Sequence, residues 1–148
     1  MSSPRRSPPP PSDRAAAMRM RSVRRKDTAA EMAVRRLAHR RGLRYRVHAS
    51  VPGLVRIRPD MVFVRSRVAV FIDGCFWHGC PIHGTVPKSN SSWWLEKLAS
   101  NVKRDKRARE VLESLGWTVL RFWEHDEPTT VVQMIEAALN SAVKLKKA

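Results

Sequence analysis

Apolar and polar positions along the chain repeat with two different periods, and the switches between them mark the elements. From Thr28 the segment TAAE has the form of a capping box, in which Thr28 and Glu31 satisfy each other's free amides. Ala29, Met32, Ala33 and Leu37 then recur with helical spacing, and Gly42 supplies the stop. RYRVHASV reads as an outer strand. RPDMVFV and VAVFID, joined by the short polar turn RSR, read as a hairpin at the centre of a sheet. A long helix follows from Trp93 to Leu115, with Leu98, Val102, Leu112 and Leu115 facing inward and Gly116 closing it. WTVLRFW is a further strand suited to lie beside VAVFID. Pro128 opens a last helix in which Val131, Met134, Ile135, Ala138, Leu139 and Ala142 keep helical spacing. The predicted order is helix, three strands, helix, strand, helix, a mixed α/β sandwich with helices on the sheet faces.

A chain of 148 residues is long enough for one compact core. Residues 1–17, MSSPRRSPPPPSDRAAA, hold too few apolar side chains to fold, so a disordered basic tail is expected before a single domain over 18–148. Arg19, Arg21, Arg24 and Arg25 in the following basic run RMRSVRRK are either phosphate clamps or part of a solvated leader. No apolar run approaches the roughly 18 residues of a membrane span. The N-terminus also lacks the apolar core of a signal peptide. A cytoplasmic, nucleoid-associated location is therefore expected.

Charge changes the picture more than length does. Lys and Arg outnumber Asp and Glu 29 to 13, a net +16. A surface of that sign attracts polyanions, nucleic acid foremost, and carries no information about catalysis. Two cysteines in such a chain argue against a disulfide framework and leave metal ligation open.

The candidate chemistry gathers where VAVFI ends, in FIDGCFWHGCPIH. Cys75, Cys80 and His83 are spaced closely enough for one loop to wrap a metal. If WTVLRFW runs parallel to VAVFI, His125 arrives at the same sheet edge and completes a tetrahedral Cys2His2 set, the donor pattern of structural zinc. His78 lies outside that set and is either a surface residue or a general base. Asp60 opens a buried strand, where a carboxylate needs a cation or hydrogen bonds. Asp105 falls on or beside the inward face of the long helix, where it could orient a histidine or pair with one of the many arginines. Phe76 and Trp77 in the loop, with Trp93 and Trp94 at the helix start, are core residues or wedges for a base step.

RPD, FIDGCFWHGCPIH, WWLEKLASNVKRDKR and LGWTVLRFWEH, in this order and together with RKDTAAE, resemble the very-short-patch mismatch repair (Vsr) endonucleases over residues 18–125. The resemblance implies a restriction-endonuclease-like, PD-(D/E)xK-type three-layer core with a mixed sheet and a structural zinc. It implies a substrate, duplex DNA with a T:G mismatch left by deamination of 5-methylcytosine, and a Mg²⁺-dependent nick 5′ of the mispaired T. Asp60 would ligate magnesium by its carboxylate and Ile72 by its backbone carbonyl. His78 would be the general base, Asp105 its orienting partner, and Glu31 would bind metal-held water. Phe76, Trp77 and Trp94 match the aromatic wedge, and zinc would take Cys75, Cys80, His83 and His125. Mismatch-repair accessory proteins are candidate partners, and a monomer is expected because one nick needs one active centre.

Three departures stand beside the resemblance. FID lacks the first acid and the lysine of the usual (D/E)xK, which leaves the role of Asp73 open. The zinc set is Cys2His2 where better-known relatives use more cysteine. The Pro-rich tail belongs to no recognised part of the pattern and suits a DNA tether. Two other readings remain: a nuclease of the same fold acting on other DNA, and a non-catalytic zinc-braced DNA-binding protein.

Overall fold

The computed structural model of the protein describes residues 28–54, 56–75, 80, 82 and 90–147. Arg19, Arg21, Arg24, Arg25, Phe76, Trp77, His78 and His83 lie outside the described residues, as does the proposed tail. Helix α1 spans Ala29–Arg40, strand β1 Arg46–Val47, β2 Met61–Phe63 and β3 Val68–Asp73. Helix α2 covers Ser91–Ser114, strand β4 Thr118–Trp123 and helix α3 Pro128–Lys147. The element order is the predicted one.

Local chemistry sets the boundaries. Thr28 caps α1, its Oγ1 accepting from the Glu31 amide at 3.3 Å. The Glu31 carboxylate takes Arg35 as a partner. Two glycines stop helices in the same way. Gly42 and Gly116 adopt φ of 82° and 85°. Around them, Leu43 N–H donates to Ala38 O at 3.0 Å and Trp117 N–H to Leu112 O at 3.0 Å. Both are the six-to-one bond of a Schellman stop, which needs a left-handed residue.

The strands form one sheet in the order β1-β2-β3-β4. The first two pairings are antiparallel, and β3 pairs with β4 in parallel from Val68↔Thr118 to Asp73↔Trp123. Alternation along β3 then sorts its side chains. Val68, Val70 and Ile72 join Val34 and Ala38 of α1 and Val131, Val132 and Ile135 of α3 in the larger core. Ala69 and Phe71 face the other way, toward Leu112 of α2 and Val119. Burying each such aliphatic side chain is worth about 1.5–3 kcal/mol. The result is three layers, α1 and α3 on one face and α2 on the other.

Helix phases differ from expectation. On α1 the buried positions are Glu31, Val34, Arg35 and Ala38, whereas Ala29 is exposed. The cause is the Glu31–Arg35 pair, which lets two charged residues occupy the inner face. On α2, Val102 and Leu115 are 47% and 51% exposed, while Trp94, Leu98, Asn101 and Leu112 are buried. That inner stripe includes polar Asn101, so counting apolar residues alone shifts the phase. On α3, Met134 is 51% exposed and Val132 fully buried. Among the described residues no helix is long and apolar enough to cross a membrane.

Candidate active site

Asp60 stands at the mouth of the sheet, one residue before β2. The carbonyls of Arg67 and Asp73 accept from Thr118 and Glu124 on the β4 side. Alternation therefore turns the N–H and C=O of Val68, Val70 and Ile72 toward β2. The register that pairs Met61 with Val70 puts Pro59 opposite Ile72. Proline has no N–H, so it offers the Ile72 carbonyl no ladder donor. The Ile72 N–H is taken instead by Asp60 Oδ2 at 2.6 Å. A Pro-Asp step at this point thus does two things: it withholds the ladder donor from a carbonyl and sets a carboxylate on the adjacent amide.

Burial pushes the Asp60 carboxyl up to about 6, against the pull of the Ile72 hydrogen bond; the nearby Glu31 charge adds to the rise. A carboxylate in this situation is stabilised by a cation. A carboxylate and a carbonyl without a ladder donor, both hard oxygen donors, are the chemistry that magnesium takes. By donor type the residues fit that ion.

Glu31, 2% exposed, reaches the same cleft from α1. Its Oε2 accepts from Arg35 Nη2 at 2.9 Å. Arg35 Nη2 also lies 2.8 Å from His48 Nε2. Across the cleft, Arg121 of β4 grips Asp73 with two bonds, Nε to Oδ2 at 2.9 Å and Nη2 to Oδ1 at 3.0 Å. The same Nη2 is 3.4 Å from Asp105 Oδ1, and the guanidinium sits 4.2 Å over the Phe71 ring. Asp73 is therefore held in an ion pair, and Asp105 has an arginine neighbour. The cleft has a volume of about 280 Å³, and Lys97 and Arg104 of α2 with Arg58 give it cationic walls.

A second group of ligand atoms lies at the same edge. Because β3 and β4 run parallel, Cys75 and His125 both follow strand ends there. His125 Nδ1 is 3.2 Å from Cys75 Sγ. Cys80 N–H donates to the Cys75 carbonyl at 3.1 Å, and Glu124 Oε1 accepts from Cys75 N–H at 3.2 Å. The ligand atoms of Cys75, Cys80 and His125 fall within 4.8 Å of one another, close enough to hold one metal ion. Burial and the adjacent Cys80 thiol push Cys75 up to about 12. Two thiols and an imidazole are soft donors that suit zinc.

The structure brings Asp60, Ile72, Glu31 and Asp105 to one cleft, and Cys75, Cys80 and His125 to one elbow. Trp94 is 5% exposed and packs edge-on to Trp93 at 4.7 Å, so its ring is not offered to a partner in this state. Sequence reading missed Arg35, His48 and Arg121. Only Arg35 left a signal, its position four residues after Glu31 on a helix.

An acid-lined, solvent-open cleft at the carboxyl edge of a sheet, walled by lysine and arginine, suits an anionic substrate; the class defined here is an α/β protein of that kind. A family described as DNA mismatch endonuclease Vsr matches residues 10–83. "Type II nicking enzyme V.NaeI" of Lentzea aerocolonigenes is 40% identical over 134 residues, 89% of this chain and 81% of the relative. "Type II nicking enzyme V.XorIIP" of Xanthomonas oryzae is 43% identical over 108 residues, covering 71% and 76%. "DNA mismatch endonuclease Vsr" of Escherichia coli K12 is also 43% identical over 108 residues, covering 71% and 66%. The chain belongs to the Vsr DNA mismatch endonuclease family.

Proposed function

We propose that this protein nicks one strand of duplex DNA 5′ of the mispaired T in a T:G mismatch, by Mg²⁺-dependent hydrolysis. The observation that carries the reading is the Asp60 carboxylate beside the Ile72 carbonyl, which Pro59 leaves without a ladder donor. Relatives named as mismatch and nicking endonucleases support the choice of DNA and of a single-strand cut.

Asp60 and the Ile72 carbonyl would hold magnesium, which when bound supplies a Lewis acid for the charge that develops on phosphate. His78 would take the proton of the attacking water. The water oxygen bonds to phosphorus, the bond to the sugar oxygen breaks, and that oxygen leaves to acquire a proton. Asp105 would orient His78, with Arg121 holding its carboxylate in place. Glu31, already tied to Arg35, would fix water at the cleft floor. Lys97 and Arg104 supply positive charge along the wall, where a phosphate backbone would run. Phe76 and Trp77 would enter the base stack, at a cost that is least at a mismatch. Zinc on Cys75, Cys80, His83 and His125 would brace the loop that carries these groups. One active centre per nick suits a monomer.

The test is a nicking assay on two oligonucleotide duplexes, T:G and T:A at one position, with Mg²⁺ and with EDTA. Nicking of T:G alone, abolished by EDTA, is expected. Equal cutting of both duplexes would replace mismatch specificity with general nuclease activity. Tight binding without cutting would leave only a DNA-binding protein.

A further inference from the structure

His48 directly follows β1 and stands opposite Asp60. The register that pairs Arg46 with Val62 and Val47 with Met61 continues by one place to these two residues. The His48 amide accordingly donates to the Asp60 carbonyl at 3.4 Å. Here the backbone turns left-handed, with φ 49°. A non-glycine residue held in that conformation is strained, and the surroundings must offset the strain. The imidazole comes to lie between two acids, Nδ1 4.0 Å from Asp60 Oδ1 and Nε2 3.8 Å from Glu31 Oε2.

Taken as two ion pairs, these distances would make His48 a cation between carboxylates. Arg35 rules that out in this arrangement. Its Nη2 is 2.8 Å from His48 Nε2 and 2.9 Å from Glu31 Oε2. A guanidinium nitrogen donates and never accepts, and Nη2 has two hydrogens, one for each contact. Nε2 must therefore be a bare acceptor. The proton of the neutral ring is on Nδ1, the atom that faces Asp60. Arg35 thus sets the tautomer while it neutralises Glu31.

We propose that His48 is a positioning residue for Asp60: Arg35 fixes its imidazole as the Nδ1–H tautomer, and that N–H steers Asp60 Oδ1 while the Ile72 amide holds Oδ2. The inference rests on the reading of Asp60 as a magnesium ligand. At 4.0 Å the Nδ1–H acts on Oδ1 through its dipole, longer than a hydrogen bond. Contacts of this kind tighten when the site is loaded. A carboxylate steered at both oxygens meets a cation with little reorientation, as partners of metal ligands generally ensure.

Long-range ¹H–¹⁵N NMR on the zinc-loaded full chain reads the tautomer directly, at about pH 8.5, above the ordinary imidazole range. Nδ1–H with unprotonated Nε2 is expected at His48, and an Nε2–H ring would overturn the proposal. The second readout is the Asp60 carboxyl ¹³C shift during titration with Mg²⁺ alone. His48→Leu, which removes the donor, is expected to raise the Mg²⁺ midpoint about tenfold. His48→Asn, whose side-chain N–H occupies the Nδ1 position, is expected to recover it. Equal midpoints for wild type and His48→Leu, or equal losses in both variants, contradict a steering role. No Asp60 response in the wild type would overturn the underlying reading and this proposal with it. A normal response with the wrong tautomer would overturn this proposal alone.

Discussion

At one edge of the sheet, the cleft around Asp60 opens to solvent and presents oxygen, whereas Cys75 and Cys80 are 5% and 4% exposed and present sulfur. Burial shifts both sites toward their neutral forms, Asp60 up to about 6 and Cys75 up to about 12. The consequences diverge. A carboxyl near 6 is mostly ionised at neutral pH, so Asp60 keeps a charge with which to hold and exchange a cation. A thiol as high as that of Cys75 keeps its proton until a metal displaces it, so metal binding at the elbow would be coupled to deprotonation and to folding. On the proposed reading, two neighbouring sites that share β3 are thus suited to opposite tasks, one to turn over and one to stay filled.

Several perturbations sharpen or break that contrast. The largest effect is expected at the elbow. Structural zinc is worth on the order of 10 kcal/mol in small motifs, so Cys80→Ser should lose stoichiometric zinc and melt far below wild type. Normal zinc content and normal melting in that variant would remove Cys80 from the ligand set. Stripping magnesium from the cleft should instead stop nicking with almost no change in melting.

Next comes the support of the cleft. Arg35→Met leaves the carboxylate of Glu31, 2% exposed, without its 2.9 Å partner. Removing one member of a buried pair costs about 3–5 kcal/mol, read by urea denaturation. Adding Glu31→Gln should restore part of the loss, because the unpaired charge at that position is then gone.

A smaller effect of opposite sign is expected from Asp60→Asn in magnesium-free protein. The folded carboxyl titrates at about 6 against an ordinary 3.8, so the wild type loses stability as pH rises through that window. The amide should therefore stabilise the fold at pH 8 by about 1–3 kcal/mol, with the gain vanishing below the unfolded value. On the proposed reading, stability and activity are opposed at this residue. Equal gains at pH 8 and pH 3.5 would show that burial of charge is not the cause. Smallest of all, Arg109→Ala breaks an exposed pair with Glu113 at 2.9 Å and should change stability by less than about 0.5 kcal/mol.

How much of this was legible in the chain follows from what each feature depends on. The hairpin, the parallel return of β4 and the meeting of Cys75 with His125 follow from residue periods and topology, and sequence carries both. The charged framework of the cleft follows from neither. Arg121 reaches Asp73 because parallel pairing puts Phe71 beside it in the register. No local spacing announces that partnership. Glu31 and Arg35 sit on the buried side of α1 because each neutralises the other, whereas a hydrophobicity pattern assigns every charge to solvent. His48 escaped for a further reason. Its pairing with Asp60 depends on the register of a two-residue strand across an irregular connection, and no repeat encodes that register.

The account depends most on Asp60, and one measurement addresses it directly. Single-turnover nicking of a T:G duplex by Asp60→Ala should fall to background, with zinc content and duplex affinity as in the wild type. A variant that still nicks at a comparable rate would show that the cation is held elsewhere, and the cleft at the sheet edge would lose its assigned chemistry.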